Sequence, residues 1–248
     1  NGFDQWPTVK YFAMGANVWK NSDTWPPANT VERRWYLHSQ GAANTSAGDG
    51  ALSEQRPLAS EPVDHYTYNP AQPVPTVGGP TLMHPLFRAG PRDQRPIEAR
   101  PDMLVYTSAP LEEPLEVTGP VSVTLSVASD APDTDFVARL VDVAPDGVAI
   151  PLTDGITRMR YRDGVEAPAA PLEPQQVYAV TIDLWSTSNV FLPGHRIRLD
   201  VTSSNFPRWE RNLNTGQSSA QTTEMRAAQQ SILHDADHPS FASLSVVE

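Results

Sequence analysis

The chain is predicted to be all-β, on three observations. Twenty-five of its 248 residues are proline, and a proline inside a helix removes a hydrogen bond and clashes with the preceding turn. Apolar residues recur mostly at every second position, in short runs punctuated by Pro, Gly, Asp and Asn, as half-buried strands require. Helical periodicity is sustained only from Thr222 to Leu233, where Met225, Ala228 and Ile232 share a face. One short helix near the C-terminus is expected there.

In chain order, Thr8 to Met14 reads as a first strand ended by Gly15. Ala16 to Pro27 carries Trp19 and Trp25, read as plugs at the edge of the core, with a stacking platform for a ligand as the alternative. Arg34–His38 and Asp64–Tyr68 are the next strands, joined by a Gly/Ala/Ser/Asn-rich connection. Pro70 to Pro101 is a proline-punctuated loop, and loops of that length in a compact domain usually carry function or meet a partner. Val121, Val123, Leu125 and Val127 alternate with polar residues. Phe136 to Val143 is apolar enough for a central strand, and Asp146-Gly147 is a hairpin turn. Thr157, Met159 and Tyr161 are expected to face the core, with Arg158, Arg160 and Arg162 outward. Tyr178, Val180, Ile182 and Leu184 form another core row. After the Leu192-Pro193-Gly194 turn, Ile197, Leu199 and Val201 point inward, while Arg196, Arg198, Asp200 and Thr202 form a wet face. Leu244 and Val246 lie on a closing strand. About ten strands at this spacing predict a jelly-roll-like antiparallel β-sandwich with long loops, occupying residues 1–248 as one domain.

Charge and composition narrow the function. A net charge of −11, with 18 Lys+Arg and no basic run, argues against nucleic acid. The chain has no cysteine, so disulfides and thiolate chemistry are excluded. No apolar run approaches the ~20 residues of a membrane helix. A soluble protein is expected, with cytoplasm and secretion both open. The start on Asn1-Gly2, without methionine, reads as a piece of a longer polypeptide.

The candidate chemistry is sparse. No G-x-S-x-G elbow occurs. Asp130, Asp133 and Asp135 are spaced like a calcium loop but lack its glycine and terminal glutamate, so they read as turn carboxylates pairing with arginines such as Arg160. His234-Asp235-Ala236-Asp237-His238 holds metal-capable atoms in a polar tail, and no metal is expected. His195 reads as a capping histidine, and its spacing from Ser203-Ser204 does not support a triad. The segment Ser203 to Gly216 is dense in Ser, Asn and Thr around Phe206 and Trp209, and is either a packed corner or a site. Asp133, Asp135, Asn205, Phe206, Arg208, Trp209 and Asn212 are assigned to a structural corner. No cofactor is expected.

Seven ordered phrases, VKYFAMGANVWKNSDTWPP, GAANTS, DHYTYNPAQPVPTVGG, DQRP, DTDFVARLVDVAPDG, GITRMRYRD and TSNVFLPGHRIRLDVTSSNFPRWERNLNTG, resemble the C-terminal domain of the CocE/NonD serine hydrolases. That family includes esterases, acylases and, more distantly, X-Pro dipeptidyl peptidases. The resemblance implies a jelly roll attached to an upstream α/β-hydrolase domain and helical cap, where the serine, acid and histidine would lie. No catalytic residue is therefore assigned here. It also implies that the loop holding Thr81, Leu82, Met83 and His84 leans over the active-site cleft. Leu82, Met83 and His84 would line the pocket for the acyl group of a small ester or amide; relatives carry an aromatic at one such position. The partners implied are the upstream hydrolase and cap domains, and self-association is left open. The competing reading is a carbohydrate-binding module. It predicts an exposed aromatic row near Trp19, Trp25 or Trp209, whereas the hydrolase reading predicts those rings buried and an apolar patch around Leu82 and Leu86-Phe87.

Overall fold

A computed structural model describes residues 6–81 and 87–248. Its first two strands, β1 (Val9–Ala13) and β2 (Val18–Ser22), form a ribbon of their own. The next strands are β3 (Thr30–His38), β4 (Ala51–Ser53), β5 (Asp64–Tyr68) and β6 (Leu104–Thr107). After them come β7 (Leu115–Ser129), β8 (Asp135–Val143), β9 (Ala149–Arg158) and β10 (Tyr178–Phe191). The last are β11 (Arg196–Thr202), β12 (Ala228–Leu233) and β13 (Phe241–Val247). These eleven are hydrogen-bonded in the order β5-β12-β7-β13-β3-β4-β6-β11-β8-β9, with β10 also on β7. The pairings between these strands are antiparallel except for that of β4 with β6, Ala51 with Thr107, and isolated parallel bridges join Met14 to Asn189 and Pro75 to Phe206.

The long ladder folds back on itself. Thr153 of β9 donates its hydroxyl to the Leu184 carbonyl of β10, and a Cβ on Gly155 would lie 2.1 Å from the Asp183 carbonyl oxygen. Only glycine lets these two backbones come so close. The enclosed space is filled by the period-two rows of both layers: Val121, Val123, Leu125 and Val127 against Phe136, Leu140, Ile197, Leu199 and Val201, with Val180, Ile182 and Leu184 closing the side. Full burial of each such side chain contributes about 1.5–3 kcal/mol, so the alternation read from sequence is also the main source of cohesion.

Three expectations fail, each for a local reason. Thr222 to Leu233 is not helical; Ala228–Leu233 is strand β12, paired with β5 and β7. Its inward row is Ala228, Gln230 and Ile232, and the fully buried Gln230, whose amide donates to Thr134 and Ser203, hides the period of two. The short helix lies instead at α1 (Arg95–Glu98), where Pro96 supplies a helix-compatible φ in the first turn. The second face of β11 is not wet: Arg198, Asp200 and Thr202 are buried. The 70–101 loop covers them, bringing Val74, Ile97 and Met103 against Val105 as a second small core. Finally, the chain turns into a 3₁₀ helix at Met159–Tyr161, so Met159 is buried while Tyr161 is exposed, and Arg158 and Arg160 fold back onto Asp135 and Asp133.

Candidate functional site

Of the residues assigned to the acyl pocket, Leu82, Met83 and His84 lie outside the described residues. What is described is the two stems that carry them. Gly79 and Gly90 exchange backbone hydrogen bonds of 2.9 and 3.0 Å, both with positive φ. Gln94, fully buried, donates its amide to the carbonyls of Val77 on one stem (2.9 Å) and Arg92 on the other (2.7 Å). One side chain thus ties both stems to α1. No pattern in the sequence marks Gln94 for this work.

The predicted corner divides into two structures. The first grips the 74–80 stem. Thr76 and Phe206 are joined through backbone, with Thr76 N–H donating to the Phe206 carbonyl and Phe206 N–H to that of Val74. Arg208 donates its backbone N–H to the Thr76 hydroxyl oxygen (3.1 Å), donates through Nη1 to the Pro80 carbonyl (2.5 Å), and pairs through Nη2 with Asp154 (3.0 Å). Asn205 donates to the other Asp154 oxygen at 2.9 Å. Trp209 packs beside the Arg208 guanidinium, 4.7 Å from ring centre to cation.

The second structure is a charge knot. Asn212 Nδ2 donates to both Asp133 (2.8 Å) and Asp135 (2.7 Å), while Arg160 and Arg158 neutralise them. Burial pushes the Asp135 carboxyl up in spite of Arg158. No group of metal-capable side chains is found among the described residues. Each of the three aspartates pairs with an arginine, Asp133 with Arg160, Asp135 at the start of β8 with Arg158, and Asp130 with Arg226.

Triad-like geometry occurs twice among the described residues, and both cases share Glu61. In the first, Ser53 Oγ lies 3.3 Å from His38 Nε2 and His38 Nδ1 lies 2.8 Å from Glu61, but Nε2 also lies 2.8 Å from the Gln55 carbonyl, to which it can only donate. The second is buried. Ser39 Oγ lies 3.1 Å from His234 Nε2, and His234 Nδ1 lies 3.1 Å from Glu61. Nε2 is also 3.0 Å from Asp64, which further accepts from Ser39 and Tyr106. Burial alone would lower the His234 pKa, but Asp64 and Glu61 outweigh it and raise it. Burial alone would raise that of Asp64, yet bonds from His234, the Ala43 N–H, Ser39 and Tyr106 hold it below the usual carboxylate range. His234 Nε2 faces the Asp64 carboxylate, an acceptor, as well as Ser39, so it is engaged as a donor rather than as a base for the serine proton, and Ser39 and His234 are sealed from solvent. The cluster is structural. His195 likewise serves Asp142, at 2.7 Å, while Ser203 and Ser204 are spent on Tyr66 and the Val74 N–H.

Around the stems runs an apolar face. Phe12 sits opposite Trp19 on the β1–β2 ribbon, and Trp19 is 65% exposed, with Trp25, Met14 and Phe87 also open to solvent. The expectation that Trp19 and Trp25 are buried is wrong, because β2 belongs to a ribbon beside the sandwich rather than to its core. Each of the two indoles meets an aromatic neighbour edge-on. Phe12 and Trp19 meet at 65°, and Tyr11 and Trp25 at 71°. Trp185, 72% exposed, stands where the β10–β7 register shifts, at a φ of 67°. Bulges of this kind re-aim side chains outward. Between the ribbon, the stems and the β8–β9 hairpin lies a cavity of about 460 Å³, walled by Met14, Pro80, Pro91, Ile150, Pro151 and Leu152, with Asp142 and Asn189 at its base.

Comparison with known proteins fits this arrangement. The profile of the X-Pro dipeptidyl-peptidase C-terminal non-catalytic domain matches residues 1–242. The chain is 48% identical over 244 residues to cocaine esterase of Rhodococcus sp. (strain MB1 Bresler), covering 98% of this chain and 42% of the esterase. The crystal structure of an aminopeptidase from a marine sediment Thaumarchaeota archaeon superposes with a TM-score of 0.85 at 32% identity, over 98% of this chain and 41% of that one. An α-amino acid ester hydrolase superposes with a TM-score of 0.83 at 29% identity, over 97% and 41%. The chain spans less than half the length of each of these relatives.

Proposed function

The chain belongs to the family of X-Pro dipeptidyl-peptidase C-terminal non-catalytic domains, of the CocE/NonD hydrolase type, and from that premise we propose that it is the domain that closes over the active site of a serine hydrolase. The arm between the Gly79–Gly90 stems would lean over the cleft, with Leu82, Met83 and His84 lining the acyl pocket of an ester or amide substrate. The reaction would be two-step acyl transfer by a serine, histidine and acid on the hydrolase domain. This domain would contribute shape and exclusion of water rather than proton transfer.

The observation that carries this reading is the clamp on the stems. A loop that must hold a pocket wall needs a rigid root, and Gln94, Arg208 and the Thr76–Phe206 backbone pair fix this one at three points. The surrounding Phe12, Met14, Trp19 and Phe87 give the apolar area on which another domain would seat. The exposed Trp19 and Trp25 favour the carbohydrate reading to a degree. Against it, Lys10 stands over the Trp19 ring at 5.6 Å, and Trp25 is met edge-on by Tyr11.

The test is hydrolysis of p-nitrophenyl acetate and an X-Pro-p-nitroanilide by the 248-residue chain beside the longer polypeptide carrying the hydrolase domain. Activity is expected only in the longer form, and turnover by the 248-residue chain alone would overturn the assignment. In the longer form, Arg208→Ala should lower kcat/KM about tenfold by loosening the arm. Full activity of that variant would separate the arm from the pocket. Two inactive forms that bind on a glycan array would favour the carbohydrate module.

A further inference from the structure

The cavity beside the stems has a composition of its own. Its lining is mostly apolar: among its twelve described residues are three prolines, whose rings cannot rotate to fill the space, with Met14, Ile150 and Leu152. Its volume of about 460 Å³ falls in the range of small-ligand sites. Asp142 is the one ionisable side chain among its described lining residues. That carboxylate is held from behind. Oδ1 takes the His195 Nδ1 hydrogen at 2.7 Å and Oδ2 takes the Asn189 amide at 3.3 Å. Asn189 is itself buried, fixed on β10 beside the backbone bonds between Met14 and the strand. A carboxylate has about four lone-pair sites, so two of those on Asp142 remain for a donor in the cavity.

We propose that this cavity binds a protonated amine carried on a compact apolar body, with Asp142 as counter-ion, Asn189 holding the carboxylate, and the prolines, Ile150 and Leu152 enclosing the apolar part. An anion would meet the Asp142 charge with no cation in the described wall. A neutral apolar molecule would leave a carboxylate desolvated without a new partner, which costs more than the burial returns. An ammonium resolves both problems, since it brings Asp142 a charge-assisted bond while its apolar body meets the apolar lining. The inference rests on the cavity and not on the role of the arm. The cation has two sources with the same chemistry: a free small-molecule amine, or a lysine presented by the rest of the polypeptide.

The experiment uses the polypeptide with its hydrolase domain, titrated calorimetrically with benzylammonium and, as the isosteric neutral control, benzyl alcohol. For a free ligand, benzylammonium should bind saturably and at least tenfold more tightly than the alcohol. Asp142→Asn should remove that tenfold advantage, and His195→Gln, which leaves the carboxylate, should keep it. Ile150→Trp, which fills the cavity and leaves Asp142 intact, should abolish binding even if Asp142→Asn fails to fold. For a lysine from the same polypeptide, benzylammonium should find the site occupied. Asp142→Asn and Ile150→Trp should then each speed limited proteolysis between the domains about tenfold, and His195→Gln should not. Equal binding of alcohol and ammonium, or variants that change neither amine binding nor proteolysis, would overturn the proposal. Neither readout uses ester hydrolysis, so failure here is distinct from failure of the accessory-domain reading.

Discussion

On the back of β11, Arg198 and Asp200 are buried; on the outside of the β1–β2 ribbon, Phe12 and Trp19 face solvent. Polarity and burial are inverted in both places. β11 carries Arg198 inward because the segment around α1 covers it and Glu98 pairs with it at 2.5 Å, while Asp200 faces Arg139 of the neighbouring strand β8 at 3.7 Å. The ribbon carries rings outward, and among the described residues they stand open to solvent. The difference teaches that alternation along a strand distinguishes its two faces but does not say what lies against each. For β11 the cover includes Val74 and the short helix α1 with Ile97 and Glu98; for the ribbon we propose a neighbouring domain.

The sharpest way to break the comparison is Arg198→Met. It strands the Glu98 carboxylate in a dry layer and should destabilise the chain by about 3–5 kcal/mol, read as a lower denaturation midpoint in guanidinium. The double variant Arg198→Met/Glu98→Met should recover most of that loss. If the single variant costs under 1 kcal/mol, the layer is wetter than described. On the opposite face of the same strand, Leu199→Ala should cost about 2–5 kcal/mol through its cavity, placing the two faces of β11 on one scale.

A third, smaller effect is pH dependence. Burial and the Glu98 charge push Asp200 up to about 8, against the opposing pull of Arg139 and Arg198, and His234 is also raised. Both groups hold protons in the folded state that the unfolded chain releases, so stability should fall as pH rises. The fall runs from the ordinary carboxylate range towards pH 8 for Asp200, and upward through the ordinary histidine range for His234. Asp64, held low, contributes at the other end, where stability falls as pH drops below the ordinary carboxylate value. Denaturation midpoints should be higher at pH 5.5 than at pH 8, and Asp200→Asn and His234→Asn should each flatten that slope. A midpoint that rises towards pH 8 would contradict the assignment.

The smallest effect sharpens the other half of the contrast. Trp19→Ala should change the stability of the 248-residue chain by no more than about 0.5 kcal/mol, as exposed positions do. In the longer polypeptide it should cost about 1–2 kcal/mol of interdomain stability. Equal effects in both forms would mean that nothing covers the ribbon.

Much of the fold is written in local pattern. Asp64–Tyr68 is a strand with the bounds the alternation gives, and Val121 to Val127 and Ile197 to Val201 fall inward as the period of two requires. The errors arise where one residue breaks the code or where cover comes from afar. Gln230 in an apolar row disguises β12 as a helix, and Val18–Ser22 shows no alternation because its partner face is not the core. The corner was legible as a hydrogen-bonding segment, but its division was not. That Arg208 grips the 74–80 stem while Asn212 binds Asp133 and Asp135 depends on contacts between segments 70 to 130 residues apart. Asp142, Asn189 and Gln94 carry no spacing signal at all.

One further consequence concerns light. Of the six tryptophans, Trp35 is in the core at 5% exposure, while Trp6, Trp19, Trp25 and Trp185 are solvent-exposed and Trp209 is half-buried beside Arg208. The intrinsic emission of this chain is therefore mostly that of its surface. It will be red-shifted and open to iodide while the sandwich is intact, and it will respond to whatever settles on the ribbon long before it registers the melting of the core.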